Sequence, residues 1–176
     1  MQKWIKIGMT LVFVAVMSWV AFGFFGIQAL FIDREVNEDI PAWIAEMEAN
    51  PAASATQDAL LGQGAFQQGD STYTISGNAY LSQSSSQFQL TFAEFNVTNG
   101  PDLFVYAVKT DSTENQAVKA TVSAGDFIKL GELKGNIGNQ NYLLDRNFKS
   151  DGYHVVSIWC KRFGRNFGAV HLKNGE

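Results

Sequence analysis

From Ile7 to Ile32 the chain runs 26 residues without a charge. As one helix this run is about 39 Å long, against a membrane hydrocarbon core of about 30 Å. A secretory signal peptide is the rival reading, but its apolar region is usually about 7–15 residues and ends at a small-residue cleavage site. This run is longer and continues through Phe24, Phe25, Leu30, Phe31 and Ile32. The expectation is one retained transmembrane helix. Lys3, Lys6 and the terminal amine precede it, and Asp33, Arg34 and Glu35 follow. Basic flanks favour the cytoplasmic side. A single-pass protein of the cell membrane is therefore expected, N-terminus cytoplasmic and C-terminal domain extracytoplasmic.

Charge divides the 176 residues into three expected parts. Residues 1–32 carry +2 and form the anchor. Residues 33–61 carry −6 and read as an acidic stalk. Residues 62–176 are neutral, with ten acids and ten bases, and read as the exported domain. A neutral domain behind an acidic stretch argues against nucleic-acid binding, which calls for a basic face. In the stalk, Ile40, Trp43, Ile44 and Met47 share a helical face, with Pro41 suited to the first turn. That short helix either packs on its own domain or lies at the membrane surface. Its acidic residues weigh against the surface, because such helices are usually basic. Pro51 to Gln57 reads as a linker of small residues.

From Gly64 onward the pattern has period two. Phe88, Leu90 and Phe92 alternate with Gln87, Gln89 and Thr91. Tyr73 and Ile75 alternate with Thr72, Thr74 and Ser76. Leu103 to Val108 is apolar throughout, the pattern of a strand buried on both faces. His154 to Cys160 is rich in β-branched and aromatic residues. Turn signals separate these runs, among them Ser76-Gly77-Asn78, Asn99-Gly100-Pro101-Asp102, Ala124-Gly125-Asp126 and Ser150-Asp151-Gly152. The expected fold is mainly β, an antiparallel sandwich or barrel of about seven to nine strands. No long helical period appears in this part. Phosphate loops, dinucleotide fingerprints and the GxSxG elbow are all missing. A conventional enzyme is the least supported reading, and no catalytic residue is assigned.

One cysteine excludes an internal disulfide and any multi-cysteine zinc site. Cys160 has two readings. A thiolate can ligate haem iron or copper, or form a mixed disulfide. Alternatively, Cys160 shares a strand face with Val156 and Ile158 and is a small buried hydrophobe. A blue-copper site needs two histidines and the cysteine on one metal. His154 and Cys160 lie about 20 Å apart along one strand. A hairpin centred on Gly164 puts His171 opposite Ser157, roughly 10 Å from Cys160. The four methionines all precede residue 48. No metal site is assigned. Asp102 reads as a turn aspartate bonding nearby backbone, or as a pocket-lining group together with Asn141 and Tyr142. Trp159 points away from Cys160 on a regular strand. Lys161, Arg162 and Arg165 form a small basic cluster beyond it, and exposure there would lower the thiol pKa.

Four segments in this order resemble a known family: Gly64-Ala65-Phe66; LTFAEFNVTNGPDLFVYAV (90–108); LGELKGNIGNQNYLL (130–144); and VSIWCKRFGRNFGAVHL (156–172). The series is similar to the DM-thirteen domain, named from the Skeletor family and described as an electron-transfer module. The membrane-proximal Phe31-Ile32-Asp33, Val36-Asn37-Glu38 and Pro41 resemble bacterial members with one N-terminal anchor. The resemblance implies a β-rich extracytoplasmic domain whose characteristic cysteine maps onto Cys160, with a redox role. By analogy with companion domains that bind haem or sugars, it also implies a haem-like cofactor. His171 stands where the family often has a small residue, and it inherits no role. The alternative is a non-catalytic binding or cell-envelope module with a buried core cysteine. A third reading is a homodimer linked through Cys160. The redox or binding partner is not specified.

Overall fold

The computed structural model describes residues 2–24, 32–44, 60–84, 87–145, 148 and 152–173. Two compact units are distinguished, one containing residues 1–32 and the other containing the β domain.

Helix α1 spans Gln2–Trp19 and passes into a π-helical turn, Val20–Phe24. It begins before Lys3 and Lys6, so its charge-free α-helical part starts only at Ile7. Its 18 residues rise about 27 Å, short of the roughly 30 Å hydrocarbon core. Among the described residues no helix is long and apolar enough to cross a membrane. Of the expected span over residues 7–32, the described part is helical as far as Phe24. Residues 25–31 lie outside the described residues. Trp4, Ile5, Met9, Leu11, Phe13 and Trp19 are exposed along α1.

Among the described residues the β domain has two antiparallel sheets with nine strands. The first sheet has the order β1-β3-β4-β7, formed by Leu60–Ala65, Ile75–Ser84, Gln87–Val97 and Gln140–Leu143. The second has the order β2-β9-β8-β5-β6, formed by Gln67–Gln68, Arg165–His171, Val155–Cys160, Leu103–Val108 and Phe127–Glu132. The sheets do not close, so the barrel alternative is set aside. Strand alternation supplies the core between them. Leu81, Leu90, Phe92 and Phe95 from the first sheet meet Leu103, Val105, Val156, Ile158 and Cys160 from the second.

Every residue of β5 and β8 is buried, because the second sheet is covered on its outer face too. The cover is helix α2, Asn115–Ala124, a helix of which the period-two pattern gives no sign. Val118 and Val122, one turn apart, pack on Phe104, Tyr106, Val155 and Trp159.

Ser76-Gly77-Asn78 is not a turn between strands but a bulge inside β3. The register with β4 shifts between Ser76 and Asn78, and Gly77 has φ 106°. A side chain at Gly77 would strike the backbone of Ala93, Glu94 and Phe95, so glycine lets β3 bend and continue.

Residues 33–44 pack on the sandwich. Val36 N–H donates to the Ile137 carbonyl at 2.9 Å, and Glu38 N–H to that of Asn139 at 3.0 Å. Residues 42–44 are helical, and Ile44 is fully buried against Tyr80 and Ala93. Trp43 meets Tyr80 edge-on at 6.1 Å. The rest of the expected helical face, Met47, and the Pro51–Gln57 linker lie outside the described residues.

Candidate functional site

Cys160 is the last residue of β8, paired with Leu103 on β5 and with Arg165 on β9. Alternation sends Val156, Ile158 and Cys160 inward and Val155 and Trp159 out beneath α2. The thiol is fully buried, while the turn that follows it, Lys161–Gly164, is exposed. Burial is the largest influence on the thiol and pushes its pKa up. Backbone hydrogen bonds from Phe163 and Arg162 pull the other way. Nearby, the Asp102 charge raises the thiol pKa and the Arg162 charge lowers it. The result is a protonated thiol lying beneath a turn whose amides are placed to support a thiolate.

Asp102 is exposed and holds φ 63°, a left-handed conformation that Asp tolerates better than most residues. Its carbonyl accepts from Lys161 N–H at 3.0 Å, joining the start of β5 to the turn after Cys160. Sequence spacing gives no hint of this link, which depends on β5 and β8 being neighbours.

Asn141 and Tyr142 are on β7, in the opposite sheet, and point to opposite faces. Asn141 is engaged on all sides. Its Oδ1 accepts from Thr91 Oγ1 at 2.8 Å and Gln89 Nε2 at 3.0 Å, and its Nδ2 donates to the Asp39 carbonyl at 2.9 Å. Its N–H donates to Glu38 Oε2 at 2.7 Å. Tyr142 is buried in the inter-sheet core, which also contains Cys160. Its hydroxyl donates to Gln140 Oε1 at 2.8 Å and accepts from Lys134 N–H at 3.2 Å. Burial holds the phenol pKa well above its usual value. These two residues fasten the segment before β7 in the first sheet, while Asp102 immediately precedes β5 in the second.

His171 does not lie opposite Ser157. The β8–β9 turn closes on Cys160 and Arg165, and a bulge follows, with Ile158 opposite Gly168 and Trp159 opposite Asn166. Both features shift the register, so His171 faces Val155, five residues from Cys160 along β8. The two histidines are therefore neighbours, and neither approaches the thiol.

The Electron transfer DM13 family model matches residues 65–172, more than half of the chain. The chain belongs to this family. No curated protein and no solved structure matches it. In this DM-thirteen domain the matched segment runs from the end of β1 to just past β9 and includes the whole of β2 to β9. A haem-sized ligand needs open space of several hundred Å³ beside the ligating atom. Cys160 is instead enclosed by the side chains of the inter-sheet core. The haem-like cofactor expected by analogy does not fit this packing.

Proposed function

We propose that this chain is a membrane-anchored electron-transfer protein whose DM-thirteen domain lies outside the cytoplasm, with Cys160 as its redox-responsive group. The family match over residues 65–172 carries the electron-transfer reading. Membrane anchoring is supported by the charge-free run from Ile7 and by the exposed apolar side chains along α1. Orientation follows Lys3 and Lys6 on one side and the acidic residues after Ile32 on the other. The cysteine-centred part is supported by the backbone amides of Arg162 and Phe163, which favour a thiolate at the end of β8. Opening of the Lys161–Gly164 turn is the route by which solvent or a partner reaches the thiol.

One observation favours a second reading, a non-catalytic binding or envelope module: Cys160 is fully buried in the core. The test is a redox titration of the full chain, purified from its own membrane, followed by absorption spectrum and by thiol content. A reversible signal that disappears in Cys160→Ser is the expected result. A signal that persists in Cys160→Ser overturns the role of the cysteine. With no signal in either protein, the second reading stands.

A further inference from the structure

We propose that Asp111, His154 and His171 bind a divalent transition-metal ion, with Zn²⁺ the best match. Three adjacent strands of the second sheet present these residues at one end. Asp111 follows β5, His154 immediately precedes β8, and His171 ends β9. The ladder fixes their alignment, because Val155 pairs with both Val108 and His171. His154 Nδ1 lies 2.8 Å from Asp111 Oδ1. The two imidazole rings are 6.1 Å apart at 81°. One ligand atom from each of the three residues lies within 4.8 Å of the other two.

Bonds of roughly 2.0–2.2 Å to a tetrahedral ion put neighbouring ligand atoms a little over 3 Å apart. Small side-chain rotations close the difference, and Asp111 is 82% exposed at its side chain and has room to make them. A hydrogen bond accounts for Asp111 and His154 but leaves His171 unexplained. Its Nδ1 is buried and makes no hydrogen bond. A buried nitrogen without a partner is costly, and a third ligand position gives His171 a role.

The donor set selects the ion. Two imidazoles and one carboxylate suit Zn²⁺, Cu²⁺ or Ni²⁺, whereas Ca²⁺ and Mg²⁺ prefer oxygen ligands. Three protein ligands leave a coordination position open. The chain has only two histidines, and both are in this cluster. The site lies at the opposite end of β8 from Cys160, so it is independent of the redox proposal.

The experiment is calorimetric titration of the full chain in detergent with Zn²⁺ alone, in a buffer that does not chelate it. NMR of the two imidazoles is the second readout. One ion per chain is expected, with both histidine ring signals shifting together. Asp111→Asn, His154→Gln and His171→Gln should each weaken binding at least tenfold, and Glu132→Gln should not. His154 and Asp111 are largely exposed, so those variants keep the fold even if His171→Gln does not. Absence of saturable binding overturns the proposal. So does stoichiometric binding that survives His154→Gln, or a shift of only one imidazole.

Discussion

Lys134 Nζ lies 2.7 Å from Glu38 Oε1, and Glu38 Oε2 accepts the Asn141 backbone N–H at the same distance. One carboxylate thus joins residues 33–44 to both sides of the loop that leads into β7. The hydrogen bond from Lys134 is the main reason the Glu38 pKa falls below 4.5, with burial opposing it. Because the folded value is lowered, the contribution to stability is complete above pH 4.5 and is lost as pH falls through the folded value. Half-exposed ion pairs are screened, so Glu38→Gln is expected to cost about 1 kcal/mol or less at pH 7. Thermal melts of both proteins at pH 7 and pH 3 check this. The difference should shrink at the lower pH, and an equal difference at both would show that charge is not its source.

Gly138 is held at φ 96° directly beneath this segment, where a side chain would run into the Val36 carbonyl and Asn37 Oδ1. Gly164, at φ 59°, has open space around its missing side chain. Alanine at either position meets the left-handed backbone penalty of about 1 kcal/mol. Only at Gly138 must the Val36 strap also move. Gly138→Ala is expected to lose about 2–3 kcal/mol and Gly164→Ala about 1, read from urea midpoints. Trypsin cleavage after Arg34 should accelerate in Gly138→Ala alone.

The two-sheet fold is legible in the sequence because strand alternation reports burial directly. Leu103–Val108 loses its alternation for a physical reason that the structure supplies: α2 covers one face and the first sheet the other. The helix itself is hidden because only Val118 and Val122 of its ten residues are buried. Ser76-Gly77-Asn78 reads as a turn because glycine serves turns and bulges alike. Cys160 is found by its singularity. The histidine cluster is missed because turn length and a bulge near Phe167 set the β8–β9 register, and neither is encoded by hydrophobic period. A two-residue error in that register separates His171 from His154.

The Tyr142 hydroxyl is enclosed between Gln140 Oε1 and the Lys134 amide. Gln140 also receives the Lys134 N–H and donates to the Gly135 carbonyl at 2.8 Å, so the phenol completes a buried network. Tyr142→Phe keeps the ring in place against Phe92 but removes that hydroxyl. The expected loss is about 1–2 kcal/mol. Since burial raises the folded phenol pKa above 10.0, its contribution is complete below that pH and is lost as pH rises toward the folded value. Ultraviolet titration should show this tyrosine ionising only as the domain unfolds. Ionisation in the native protein near pH 10 would mean that the network is open to water.

Cys160 should react slowly with a thiol reagent in the folded protein, and denaturant should release the reaction. Burial and the raised thiol pKa act together, since the first blocks approach and the second removes the thiolate. The raised folded value favours folding below the unfolded thiol pKa of 9.0, and that advantage is lost as pH rises above it. Cys160→Ser replaces a core sulfur with a hydroxyl and is expected to cost about 1–3 kcal/mol, whereas Cys160→Ala costs mainly packing. A burial this complete also predicts no disulfide-linked dimer on a non-reducing gel of the native protein. The labelling rate should rise in proportion to the opening of the Lys161–Gly164 turn. Gly164→Ala, which strains that turn at an exposed position, should speed it by more than its global destabilisation of about 1 kcal/mol accounts for. A rise no larger than that destabilisation accounts for would mean that the thiol is reached only by unfolding of the whole sandwich.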